Sequence, residues 1–92
     1  MPDDEITQRR SNIAAMELLQ RSHQAYNAGD VRQASDLMDQ ATQEAPATVA
    51  ALIGAMRIGE VPQPGAAEWD DYLAAQRAAL DTLLAEREAD QP

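Results

Sequence analysis

His23 is the one histidine in this chain, and Ser22 stands directly before it. A hydroxyl beside an imidazole is the raw material of an activated nucleophile. In a helical segment, however, neighbouring side chains point about 100° apart and cannot share a proton. Asp3-Asp4-Glu5 and Asp70-Asp71 offer carboxylates, the ligands of hard cations. Such a cation needs oxygens converging from several directions. A run at a helix start reads instead as a partner for the helix dipole. The chain has no cysteine, which excludes disulfides and thiolate metal sites. It also has no glycine-rich phosphate loop and no helical Glu-x-x-His motif of a carboxylate di-metal bundle. The expectation is a protein that is not an enzyme and carries no cofactor or metal.

Charge narrows the partners. Seven arginines stand against sixteen acidic residues, for a formal net charge of −9. Binding to a nucleic-acid backbone needs clustered cations, and these arginines are scattered among acids, so no direct nucleic-acid contact is expected. No run of eighteen apolar residues is present and the first residues are acidic, so neither a membrane partner nor a secretory start is expected. The reading that follows is cytoplasmic. Lysine is absent while arginine and alanine are plentiful, which points to a GC-rich coding genome such as that of an actinobacterium or one of its phages.

The elements that must carry any surface are helices. Alanine and leucine are strong helix formers, and the ninety-two residues make one domain, 1–92. A chain of this length buries only about 60–65% of its unfolded surface, room for one modest core. The first helix is expected over about 4–28, with Ala15, Leu18, Leu19, Ser22, Ala25 and Tyr26 at helical spacing and Gly29 past its end. Glu5 with Arg9 and Glu17 with Arg21 are favourable i,i+4 pairs. The second, about 31–45, opens on Asp30 with Gln33 three residues on, the pattern of a capping box. Its inward stripe is Val31, Ala34, Met38, Ala41 and Ala45, with Leu37 beside it, and Pro46 ends it. A third helix is expected over about 47–58, burying Val49, Leu52, Ile53 and Met56. A linker, 59–65, holds two prolines and two glycines. A fourth helix, about 66–88, buries Trp69, Leu73, Gln76, Leu80, Leu83 and Leu84, flanked by Tyr72. Trp69, the largest side chain in an alanine-rich protein, is expected to be the buried keystone of this helix.

From Leu18 to Pro46 the chain resembles a tetratricopeptide repeat, a helix-turn-helix unit of about 34 residues. The likeness rests on the stretch from Ala25 to Ala34, with Gly29-Asp30 at the turn. It continues through small Ala34 and Ala41, bulky Met38 and closing Pro46. Leu18 and Ser22 fit the large and small positions of the first helix. Arg21 stands where the family has an aliphatic residue, and Ala25 where it has an aromatic, with Tyr26 one residue late. A partial second unit starts after Pro46, with Leu52 at the large position, and stops at Gly59. The resemblance implies an all-α fold of four helices, with antiparallel helical hairpins and a C-terminal capping helix. It also implies a partner-binding inner face: Met16, Leu19, His23, Tyr26 and Asn27, then Ala50, Ile53 and Arg57. The function implied is a non-catalytic module that takes another protein or peptide. Two alternatives stand beside it. One is a structural or accessory subunit, as a homo-oligomer or a component of a phage or bacterial particle. The other is an acidic inhibitor that imitates nucleic acid, using Asp36, Asp39 and Glu44.

Overall fold

The computed structural model describes residues 2–90 and is all-α, with four helices and no strand among those residues. They are α1 (Pro2–Asn27), α2 (Val31–Glu44), α3 (Pro46–Arg57) and α4 (Ala67–Ala89). Gly29 turns the chain after α1 at φ 87. There the Asp30 amide bonds Ala25 O at 2.9 Å and the Gly29 amide bonds Tyr26 O at 3.0 Å. This paired closure uses carbonyls that the helix end would leave without donors, and it needs a residue that tolerates positive φ. Asp30 then caps α2: its Oδ1 accepts from the Gln33 amide at 3.1 Å. Pro46 is the first residue of α3 rather than a spacer before it, with Ala45 held out of helical angles at φ −150.

Helix lengths decide the packing. At about 1.5 Å per residue, the 26 residues of α1 reach nearly twice as far as the 14 of α2. Ser22 Oγ donates to Ala34 O at 2.6 Å near the turn, and Thr48 Oγ1 donates to Asn12 Oδ1 at 2.7 Å just beyond α2. Thus α2 runs back along only the C-terminal half of α1. The other half is covered by α4, which returns antiparallel to α1. Gln20 Nε2 donates to Asp70 Oδ1 (2.9 Å), and further along Arg77 pairs with Glu17 (3.0 Å). Continuing that register brings Arg87 close to the level of Ile6, which is buried. All three other helices pack on α1, and α4 lies against α1 without a close backbone approach to α3.

The main core joins Ile13, Ala15, Met16 and Leu19 of α1 to Ala41 and Ala45 at the end of α2, Val49 and Leu52 of α3, and Trp69 and Leu73 of α4. Trp69 is 0% exposed, with Tyr72 against it at a ring separation of 6.0 Å. A smaller cluster of Ala25, Ala34 and Leu37 closes the turn end. Its two alanines let α1 and α2 approach closely enough for the Ser22–Ala34 bond.

Several expectations need correction. Val31, assigned to the inward stripe, is 61% exposed, and Met38 lies at the edge of that stripe. The buried face of α2 is centred on Ala34, Leu37 and Ala41. Val31 lies about 90° round α2 from that centre, so it faces away from α1. Tyr26 is 64% exposed, because Ala25 takes the inward place. Glu17 pairs across to Arg77 on α4 rather than with Arg21, whereas Glu5 and Arg9 do pair, at 3.6 Å.

Candidate groove between the first three helices

The Thr48–Asn12 bond fixes where α3 starts relative to α1. From that point its twelve residues run only to about the level of Arg21. The α1–α2 turn therefore projects past the end of α3. The linker crosses the gap at His23, where Gly65 adopts φ 106 and lies so close that a Cβ there would overlap the imidazole. Asn27 Nδ2 donates to His23 Nε2 at 3.0 Å, holding the ring against the linker. Gln63 Nε2 reaches back to Met56 O at 3.4 Å.

What remains between these elements is a groove of about 280 Å³. Leu19, Ser22, His23 and Tyr26 of α1 form one wall and Ala34 and Met38 of α2 another. Ile53 and Met56 of α3, with Gln63 and Pro64 of the linker, complete it. Most of the lining is apolar. Ser22 is buried and its hydroxyl is already committed to Ala34 O. His23, Gln63 and the Tyr26 hydroxyl are the polar groups at its edge. Two flexible methionine side chains let such a surface adjust to different shapes.

Of the residues expected on a partner-binding face, Leu19, His23, Tyr26 and Ile53 come together here. Leu19 is buried and forms only the floor. Met16 does not belong to the face: it is 3% exposed and lies within the main core. It points to the side of α1 that α4 covers with Trp69 and Leu73. Asn27 and Arg57 are exposed, and neither lines the groove; Asn27 acts through His23. Ala50 is exposed on the outer side of α3. The sequence reading missed Met38, Met56, Gln63 and Pro64. Met38 and Met56 had been assigned to buried stripes, and nothing local in a proline linker says which groove it borders.

Ser22 donates to a backbone carbonyl and His23 to neither Ser22 nor a carboxylate, so no activated nucleophile is formed. Among the described residues no three of His, Asp or Glu converge in a way that could hold a metal ion. Among the described residues no helix is long and apolar enough to cross a membrane. No protein-family model matches the chain, and no curated protein or solved structure matches it either.

Proposed function

We propose that this protein is a non-catalytic interaction module whose groove between α1, α2 and α3 receives a short segment of another protein. The observation that carries the reading is the groove's composition. Apolar side chains line it around an exposed Tyr26 and a half-exposed Met38. Tyrosine and methionine are enriched where proteins meet, because each offers a large apolar contact area. The tetratricopeptide-like reading of Leu18 to Pro46 belongs to the same proposal. In its favour are the tight Gly29-Asp30 turn, buried Ala34 and Ala41, and a third helix that begins beside the first. With α4 lying on α1, the second unit lacks its own second helix, and α3 is left as an open edge.

A photo-reactive residue placed at position 38 in the native cell tests this. It should crosslink to a discrete partner, whereas the same group at exposed position 81 on α4 should not. Tyr26→Asp should abolish the crosslink and leave the helical circular dichroism unchanged. Equal labelling from both positions, or a crosslink indifferent to Tyr26→Asp, would remove the groove as the binding surface.

A further inference from the structure

We propose that Met38 and Met56 form a site of reversible oxidation by peroxide, and that their sulfoxides close the groove to its partner. The second half of this rests on the groove being the binding surface. The chain has four methionines and no cysteine, so thioethers are its only sulfur. Met1 lies outside the described residues. Met16 is 3% exposed and sits in the main core. Met38 is 36% exposed and Met56 is partly exposed. Both line the groove, one on the α2 wall and one on the α3 wall. A sulfur is oxidised where the oxidant can reach it. A peroxide in solution therefore meets the two sulfurs of the groove and not the one in the core.

The reaction needs only the peroxide. The sulfur lone pair attacks one peroxide oxygen, and an S–O bond forms as the O–O bond breaks. The sulfur gives up two electrons. The other oxygen leaves as hydroxide and takes the proton of the transferred oxygen, giving water. A flexible apolar side chain becomes a polar, chiral one, and a pair of reductases, one for each sulfoxide epimer, reverses the change. Two sulfoxides on opposite walls would stand in a lining that is mostly apolar. Two of its donors are already engaged, Ser22 Oγ with Ala34 O at 2.6 Å and Gln63 Nε2 with Met56 O at 3.4 Å. The new oxygens bond to water drawn into the groove, and an apolar segment has to displace that water to enter. The buried members of the main core include Met16 but neither Met38 nor Met56. Both can therefore turn polar while the helices stay packed.

The purified intact protein is treated with dilute hydrogen peroxide, and methionine methyl spectra with peptide mass mapping follow each residue. Met38 and Met56 should oxidise at least about tenfold faster than Met16, with the helical circular dichroism unchanged. Equal rates at all three would overturn the site. The effect on the groove is read from a photo-reactive residue at position 63, which lines it and leaves both methionines in place. The discrete partner crosslinked by the untreated protein should fall several-fold with the doubly oxidised protein and return after treatment with both reductases. Met38→Leu with Met56→Leu keeps an apolar lining of similar volume without sulfur, and that variant should crosslink equally before and after peroxide. Undiminished crosslinking by the sulfoxide form would overturn the switch. So would a loss of crosslinking by the peroxide-treated double variant. If the untreated protein crosslinked nothing from position 63, the groove would fall as a binding surface and the switch with it, while the mass map decides the order of oxidation separately.

Discussion

Gly65→Ala probes the contact that shapes the groove, and its cost can be worked from two separable terms. At φ 106 an L-residue sits outside its favoured regions, at a cost of about 1–2 kcal/mol. The added Cβ would also fall on the His23 imidazole. The ring then has to swing away, losing its place against the linker and its bond to Asn27, for roughly another 1 kcal/mol. Together the substitution should destabilise the protein by about 2–3 kcal/mol, a large part of the stability of a domain this size. Urea unfolding followed by helical circular dichroism gives the number.

The second term vanishes when the ring is absent. In a His23→Ala background, Gly65→Ala should cost only about 1–2 kcal/mol, leaving a coupling near 1 kcal/mol between the two positions. Gly54→Ala is the control of opposite sign. Gly54 lies within α3 with open space around its missing Cβ, so alanine should stabilise by about 0.5–1 kcal/mol. Identical losses from Gly65→Ala in both backgrounds would refute the contact with His23. No loss in either would refute the backbone conformation as well.

Three further residues test the packing. Trp69 is fully buried, so its emission should be blue-shifted and resist quenchers. Trp69→Ala should cost about 3–5 kcal/mol in urea unfolding. Gly29→Val should lower stability by about 1 kcal/mol or more through backbone conformation alone, since a Cβ there meets nothing within 4 Å. Ser22→Ala removes a buried hydroxyl from Ala34 O and should cost about 1 kcal/mol in the same titration, with the helical spectrum unchanged.

What the sequence made legible was local. Gly29 and Asp30 announce a helix end and a helix start through the backbone groups they satisfy, and both closures are present; the reciprocal half of the Asp30–Gln33 capping box is not formed, because the Asp30 amide bonds Ala25 O instead. Ala34 and Ala41 announce a close approach by their size, and both are buried. The register between distant helices was not legible. Glu17 has an i,i+4 arginine on its own helix, yet it meets Arg77 sixty residues on, because an exposed intrahelical pair is worth only a few tenths of a kcal/mol and does not hold the side chain. Val31 and Tyr26 were read onto inward stripes, but the packed faces are centred on Ala34, Leu37 and Ala41 of α2 and on Ala25 of α1, and both larger residues lie to the side of them. For the groove, the tetratricopeptide-like resemblance implied an inner face holding Leu19, His23, Tyr26 and Ile53, and these four line the groove. It could not show that α4 occupies the Met16 side of α1 while the Met38 side stays open.

That division has a physical cause. Because α2 is too short to cover α1, Ile6 and Ile13 would be exposed without another helix beside them, and α4 is long enough to lie there. Burying Trp69 and Leu73 against α1 gains about 2–3 kcal/mol per side chain. The Arg77–Glu17 pair is about half exposed on both sides, and such a pair adds about 1 kcal/mol at most. Burial therefore draws α4 to α1, and the polar contacts refine its register. The linker has to leave the end of α3 and cross to α1, and Gly65 against His23 is where it arrives. With α4 drawn away, nothing in the described chain covers the outer side of α3, where Ala47, Ala50, Ala51 and Gly54 are exposed. The groove beside Met38 and Met56 stays open for the same reason. The open surface follows from the mismatch in helix lengths, and it lies on the side of α3 and α2 that a partner can reach without displacing any core side chain.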